Sequence, residues 1–188
     1  HNKQIFALDI GTRSVVGIIL EKNEKNYQLV DYVIEEHKER SMVDGQIHDV
    51  VAVAQVIRKV KEQLEEKHGS LTHVAVAAAG RSLKTTRTTV SRDIAGRPLL
   101  TREDILPMEL EAVQLAQQQL ATELGENNQT DFYCVGYSVV QYLLDHEPIG
   151  NLIDQRGKLA QVEIISTFLP RVVVDSLISA LKRADLEM

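Results

Sequence analysis

A short polar turn near the start of the sequence carries residue types that bind phosphate groups. It reads Asp9-Ile10-Gly11-Thr12-Arg13-Ser14 and lies between two apolar runs. Glycine at position 11 can adopt a backbone angle that is barred to other residues, so the chain can reverse there. The backbone N–H groups of such a turn, with the hydroxyls of Thr12 and Ser14, can converge on one anion. The carboxylate of Asp9 beside that anion suits a Mg²⁺ ion that keeps several waters.

An ordinary hairpin turn is the alternative interpretation of these six residues, because Gly, Asp, Thr and Ser are all common in turns. The pattern differs from the dinucleotide-binding fingerprint, since there is no G-x-G-x-x-G and no helical pattern directly after the glycine. It also differs from a P-loop, because Gly-Lys-Ser/Thr occurs nowhere in the sequence. A phosphate site here therefore belongs to another class.

Composition excludes several other functions. The 188 residues are 44% hydrophobic and 26% charged, as in an ordinary folded domain, and the net charge of −6 gives no overall attraction to nucleic acid. The single cysteine, Cys134, excludes an internal disulfide and a multi-cysteine zinc site, and fits a reducing compartment. No apolar run approaches the ~20 residues of a membrane span. The six histidines lack ligand spacing, so we expect no histidine metal site; they are His1, His37, His48, His68, His73 and His146.

Hydrophobic periodicity predicts three strands, a helix and a fourth strand in the first part of the chain. The apolar runs around the turn form a hairpin, and Tyr27–Glu35 partly alternates as a third strand. Asp49 is a good N-cap for an amphipathic helix that ends near Gly69. The compact apolar run His73–Ala79 then predicts a buried strand beside the first one. The charged segment Glu35–Arg40 is typical of solvated surface.

Residues 85 to 169 change in character and predict the order strand, helix, strand, strand. Thr85–Arg92 is β-prone but polar, which is typical of an exposed strand. A capping-box-like motif precedes Arg102, but a proline past the first turn removes a helix hydrogen bond, so we expect either a short turn and a kink at Pro107 or a helix that begins at Pro107. We expect its apolar face to consist of Leu106, Leu110, Val113, Leu120 and Leu124.

Two more strands and a last helix complete the prediction. The strands are Phe132–Leu144 and Leu159–Leu169, and the helix follows Pro170. The segment that lies between the fourth strand and this helix has the size of a small α+β domain.

The turn between two strands at the start of the chain resembles the first phosphate motif of the superfamily of actin, heat-shock chaperone ATPases and sugar kinases. Within it, the chain resembles the bacterial cell-division FtsA family. The stretches that carry this resemblance are Met42–Gly45, Ala77–Arg81, Thr101–Ile105, Val135–Tyr142 and Val162–Thr167.

The resemblance implies an α/β fold, an actin-like (ribonuclease H-like) domain with an inserted α+β SHS2 (1C) subdomain. Residues 1–83 would be the first part of subdomain 1A, residues 84–169 the insertion, and residues 170–188 the return helix of subdomain 1A.

The resemblance also implies a nucleotide. Gly11, Thr12, Arg13 and Ser14 would contact the phosphates of ATP, and Asp9 would hold Mg²⁺ through water. Actin-like ATPases complete this site with a second phosphate turn and adenosine-binding glycines, and neither pattern occurs in this sequence. We therefore expect an N-terminal fragment with half of the site, weak ATP binding, and at most slow ATPase activity in the full-length protein.

An FtsA-like protein would be a cytoplasmic scaffold that polymerises into filaments and contacts FtsZ and other division proteins. It would reach the inner face of the cell membrane through a C-terminal helix that is absent from this sequence. A sugar kinase and a heat-shock-chaperone-type ATPase are the alternatives from the same superfamily. Asp44 could serve as the base of a kinase, although turn formation explains Asp44-Gly45 better.

The inserted segment shows no Ser-His-Asp set and no metal cluster in its sequence, so we expect a protein-binding module. An edge strand offers unpaired N–H and C=O groups to a partner strand. We expect the exposed strand to supply this surface, with Thr86, Thr88 and Val90 as contact residues.

Overall fold

The computed structural model describes residues 3–78, 83–125 and 131–188. The chain divides into two compact units. The first unit consists of His1–Ser82 and Arg171–Met188, and the second unit of Leu83–Pro170. Residues 79–81, the end of one stretch that resembles FtsA, lie outside the described ranges. Within those ranges, no helix is both long and apolar enough to cross a membrane.

The described ranges contain ten strands and three helices. In chain order they are β1 (Lys3–Ile10), β2 (Ser14–Lys22), β3 (Tyr27–Glu36), β4 (Met42–Val43), β5 (Gln46–Ile47), α1 (Val50–His68), β6 (Ala75–Ala78), β7 (Lys84–Asp93), α2 (Arg102–Leu124), β8 (Phe132–Leu144), β9 (Glu147–Ile149), β10 (Leu159–Pro170) and α3 (Arg171–Arg183).

The first unit is built on a four-stranded sheet with the order β3-β2-β1-β6. Strands β1, β2 and β3 form an antiparallel meander, and β6 lies parallel to β1 after the crossover helix α1. Strands β4 and β5 form a separate small hairpin whose turn residues Asp44 and Gly45 both have positive φ, as predicted for an Asp-Gly turn. The predicted order of three strands, a helix and a parallel strand is confirmed.

One face of this sheet carries the core of the unit. Helix α1 begins behind Asp49, whose side chain accepts a hydrogen bond from the Ala52 N–H at 3.0 Å. Its buried residues pack against alternate side chains of β1 and β2, and α3 joins the same cluster. A Cβ atom at Gly17 of β2 would lie 2.3 Å from Cγ1 of Val60, so α1 approaches the sheet too closely for a side chain there.

Polar contacts fix β3 to α1. His68 Nε2 lies 2.9 Å from Asp31 Oδ2, and Glu35 accepts a hydrogen bond from Gln63 at 2.6 Å and pairs with Lys59 at 3.3 Å. The His68 hydrogen bond, followed by one from the Tyr32 N–H, lowers the pKa of Asp31. The Gln63 hydrogen bond likewise lowers the pKa of Glu35. These contacts favour both carboxylates in their charged form and hold β3 in register beside the helix.

The other side of β3 is apolar and open. Strand β3 is one of the two edge strands of its sheet, and large side chains on it are about half exposed. They are Tyr27, Leu29, Tyr32 and Ile34.

The second unit is an antiparallel sheet with the order β7-β10-β8-β9, covered on one face by α2. Thr101 precedes α2, and both its N–H and its hydroxyl donate to Asp104 Oδ2, at 2.8 and 2.9 Å. The helix therefore starts at Arg102, and the alternative start at Pro107 is wrong. Pro107 lies inside the helix.

The predicted apolar face of α2 is wrong in part, because Leu106 and Leu110 are exposed. Leu120 is buried as predicted, and smaller or neighbouring residues pack on the sheet in place of the two exposed leucines; they are Ile105, Met108, Ala112 and Ala116. Alanine at two of these positions lets the helix backbone lie close to the sheet.

A buried carboxylate links α2 to β8. Tyr142 donates a hydrogen bond to Glu109 Oε1 at 2.7 Å, and Arg102 lies 3.7 Å from Glu109 Oε2. Burial, strengthened by the Glu109 contact, raises the pKa of Tyr142 to about 12. The phenol therefore stays protonated and remains a donor at neutral pH.

The expectation that Thr86, Thr88 and Val90 are exposed on β7 is wrong. Their exposed fractions are 7%, 4% and 3%, because β7 alternates between a buried and a solvent-facing side. The buried threonine at 88 is accommodated by a hydrogen bond from its hydroxyl to the Ala112 carbonyl of α2, at 2.7 Å. The exposed side carries Thr85, Arg87 and Thr89, and β7 is the edge strand of the sheet.

We predict that Thr88→Val lowers the free energy of unfolding by about 1 kcal/mol, the usual net value of one intramolecular hydrogen bond. Urea unfolding followed by circular dichroism measures the change. Thr89→Val is the matched control, because Thr89 is exposed on the same strand, and it should alter stability by no more than about 0.5 kcal/mol. Equal effects of the two substitutions would contradict the buried hydrogen bond.

Candidate functional site

The candidate site is the turn between β1 and β2. The Gly11 N–H donates to the Ser14 carbonyl at 2.9 Å, which closes the turn. Gly11 does not have positive φ, so the predicted reason for glycine is wrong. A Cβ atom at position 11 would lie 3.2 Å from the same Ser14 oxygen, a tight contact that a side chain could make only with a small shift of the turn.

Two backbone donors of the turn remain available. The N–H groups of Thr12 and Arg13 donate no hydrogen bond to any residue that the structure describes, and both residues are exposed. The Gly11 N–H, in contrast, is already used within the turn. Consecutive free N–H groups at an exposed turn can bind an anion, and the hydroxyls of Thr12 and Ser14 lie in the same segment. The arrangement therefore suits a phosphate group.

Asp9 lies two residues before Gly11, at the end of β1. It is exposed, and β1 places it opposite Val16 on one side and Ala77 on the other. Across the described ranges, no group of three or more His, Cys, Asp and Glu side chains could hold a metal ion without further ligands. A single carboxylate beside a phosphate site fits Mg²⁺, which is usually bound by one or two carboxylates together with phosphate oxygens and water.

A histidine that sequence reasoning did not select contacts this turn. Nε2 of His37 lies 3.0 Å from the Gly11 carbonyl oxygen, and the His37 N–H donates to the Arg13 carbonyl at 2.9 Å. Strand register explains the contact, because Ser14 at the start of β2 pairs with Glu36 at the end of β3. The sequence places His37 in a charged run directly after a strand, and only the paired register brings it to the turn.

An open depression of about 500 Å³ lies beside the turn, between residues 12–13 and 36–42. Three cationic side chains line it, from Arg13, Lys38 and Arg40, together with the acidic side chains of Glu36 and Glu39. No described carboxylate forms an ion pair with the three cations. The surroundings of the turn are therefore compatible with an anionic ligand.

The structure brings Asp9, Gly11, Thr12, Arg13 and Ser14 together in one turn of the first unit. The predicted contact residues on β7 belong to the second unit, where their side chains are buried.

Comparison with protein families identifies a match over most of the chain. Residues 7–135, more than half of the chain, match the family model described as type IV pilus assembly protein PilM. No curated protein sequence matches the chain.

Among solved structures, the PilM-PilN type IV pilus biogenesis complex is similar, with a TM-score of 0.61 and 16% sequence identity. The match covers 97% of this chain and 45% of that chain, so this chain spans less than half the length of its relative. The ethanolamine utilization protein EutJ from Carboxydothermus hydrogenoformans has 16% identity and a TM-score of 0.34, with 83% of this chain and 53% of that chain covered. The likeness to the PilM structure shows the actin-like α/β fold.

We predict that tripolyphosphate shifts the amide signals of Thr12 and Arg13 in ¹⁵N–¹H NMR spectra of this chain, because their N–H groups are free to donate. The turn between β2 and β3 is an internal control. There the N–H groups of Lys25 and Asn26 already donate to Asn23 Oδ1, at 3.2 and 2.8 Å, so their signals should not move. Shifts of equal size in both turns would indicate general ionic effects and contradict a built anion site.

Proposed function

Because the chain belongs to the type IV pilus assembly protein PilM family, we propose that it forms the first half of a nucleotide-binding pilus-assembly scaffold. The family lies in the actin-like ATPase superfamily. The observation that carries the proposal is the turn between β1 and β2. There the free N–H groups of Thr12 and Arg13 follow shortly after the exposed carboxylate of Asp9. In this role the chain binds ATP with Mg²⁺ and presents a surface to a partner protein.

Each residue of the turn has a distinct role in the proposed site. The N–H groups of Thr12 and Arg13 donate to phosphate oxygens, and the Ser14 hydroxyl adds a donor from the start of β2. Gly11 contributes space, since its own N–H is used by Ser14. Asp9 holds Mg²⁺ through a water molecule, and the metal neutralises phosphate charge when it is bound.

The proposed nucleotide site is shared with a second half. This chain covers 45% of the PilM chain in the solved complex, so most of that relative lies outside the match. One turn contacts only the phosphates, and it leaves the base and ribose without protein contacts. We therefore expect weak ATP binding by this chain alone, and slow hydrolysis at most in the full-length protein.

We propose a protein partner of the PilN type, since the similar PilM is solved in a complex with PilN. The second unit offers a suitable surface. Strand β7 has an open edge, with Thr85, Arg87 and Thr89 exposed, and β8 exposes Tyr133 and Val135. An open strand edge suits an extended segment of another protein, and the exposed side chains of Tyr133 and Val135 lie two strands away, beyond β10. This surface replaces the one expected at Thr86, Thr88 and Val90.

The finer division-protein role has less support than pilus assembly. An FtsA-like scaffold with FtsZ contacts, filaments and a membrane-binding helix stays a prediction from motif resemblance, whereas the family match over residues 7–135 favours the PilM role. The sugar kinase and chaperone alternatives have no observation in their favour. We propose a cytoplasmic location at the inner face of the cell membrane.

Mg²⁺-dependent ATP binding tests the nucleotide proposal. In the full-length protein, Asp9→Asn should weaken binding of ATP in the presence of Mg²⁺ by about tenfold, a loss of about 1.4 kcal/mol. Binding of ATP in EDTA should be unchanged, because the carboxylate acts through the metal. Isothermal titration calorimetry measures both affinities, and Glu24→Gln in the turn between β2 and β3 is the control. Failure of the wild-type protein to bind ATP under either condition would refute the proposal.

Charge substitution on β7 tests the partner surface. The double variant Arg87→Glu/Thr89→Glu should weaken binding of a PilN-type cytoplasmic peptide at least tenfold, because it places two carboxylates on the exposed side of the edge strand. Gln117→Glu/Gln118→Glu adds two carboxylates to the exposed side of α2 and should leave binding unchanged. Fluorescence anisotropy of a labelled peptide measures the affinity. Equal binding by the two variants would show that the partner uses another surface.

A further inference from the structure

We propose that His37 is a positioning residue for phosphate binding, which sets the direction of the Thr12 N–H group. The inference rests on the proposed nucleotide function of the turn. His37 directly follows β3, whereas the other residues of the proposed site all lie between Asp9 and Ser14.

Peptide geometry links His37 to Thr12. The Gly11 carbonyl and the Thr12 N–H belong to one planar trans peptide, so they point in opposite directions. His37 Nε2 lies 3.0 Å from that carbonyl oxygen. Holding the carbonyl toward the imidazole therefore turns the Thr12 N–H away from His37. This N–H is one of the two free donors of the turn.

The same contact defines the state of the imidazole. A carbonyl oxygen only accepts hydrogen bonds, so Nε2 of His37 must carry the proton. Nδ1 is buried and has no hydrogen-bond partner in the described part of the chain. A buried nitrogen without a partner offsets part of the gain from the Nε2 contact. The side chain therefore adds little net stability, and its main effect is on the orientation of the Gly11–Thr12 peptide.

His37 itself is held firmly. Its own N–H donates to the Arg13 carbonyl at 2.9 Å, a backbone bond that every substitution except proline can keep. Strand β3 is also fixed to α1 by the contacts of Asp31 with His68 and of Glu35 with Lys59. A change in the side chain at position 37 consequently removes the Gly11 contact and leaves the strand in place. Preorganised donors bind an anion more tightly than donors that must first be ordered.

Three substitutions separate the hydrogen bond from general packing. His37→Ala removes the donor, His37→Gln supplies an amide N–H at about the reach of Nε2, and His37→Asn supplies one that is too short. His73→Ala is the matched control, since the His73 side chain is 78% exposed and its contacts, with Glu187 and with the Thr72 hydroxyl, lie away from the turn between β1 and β2. Affinity for Mg·ATP is measured by calorimetry on the full-length protein, and thermal unfolding checks that each variant is folded.

We expect the alanine and asparagine variants to bind Mg·ATP about three- to tenfold more weakly, the range of one hydrogen bond. The glutamine variant and His73→Ala should stay within twofold of the wild type. Wild-type affinity in His37→Ala would overturn the inference and leave the proposed function intact. Equal loss in the alanine and glutamine variants would also overturn it, because rescue requires the donor.

A second measurement needs no nucleotide. In ¹⁵N–¹H spectra of this chain, the Thr12 amide signal should move in His37→Ala and return in His37→Gln, because the Gly11–Thr12 peptide is held only when a donor is present. An unchanged Thr12 signal in His37→Ala would overturn the inference by itself. Absence of Mg·ATP binding by the wild type would instead refute the proposed function, so the two failures can be told apart.

Discussion

The hydrogen-bond register of β1, β2 and β3 is the constraint on which the candidate site depends. Pairing of Asp9 with Val16 brings the turn to the end of the hairpin, and pairing of Ser14 with Glu36 delivers His37 to the same place. A shift of one residue in either pair would turn every side chain to the opposite face of the sheet. The register is in turn held by helix α1, which packs against Gly17 at a distance that excludes a side chain.

Much of the fold could be predicted from local patterns. Helix α1 and its cap at Asp49 follow from helical spacing and capping chemistry, and the long strands β8 and β10 follow from their apolar runs. Each of these signals lies within a single helix or strand. The wrong prediction for the exposed side of β7, in contrast, depended on a contact from another element. The polar side chain of Thr88 is typical of a surface position, but its hydroxyl is buried and donates a hydrogen bond to the Ala112 carbonyl of α2.

The candidate site likewise has residues that local sequence predicts and one that only strand pairing brings to the site. The six turn residues are adjacent in sequence, so their chemistry could be proposed from the sequence alone. The role of His37 could not, because 26 positions separate it from Gly11 and a single histidine has no spacing pattern. The family, too, could not be assigned from short motifs. The phosphate turn is shared across a superfamily, and short stretches resembling FtsA did not distinguish that family from PilM, whose model matches over residues 7–135.

The open side of β3 has a consequence for handling the protein. The strand is ten residues long, contains no proline or lysine, and presents Tyr27, Leu29, Tyr32 and Ile34 to solvent along an unpaired edge. Natural edge strands usually carry charges, proline or pronounced bulges that block further pairing. Strand β3 carries three acids, Asp31, Glu35 and Glu36, but α1 engages the first two, and its one irregularity is a register shift where it passes Ile19 and Leu20 of β2. In a concentrated solution of this chain, the apolar side of β3 therefore favours self-association.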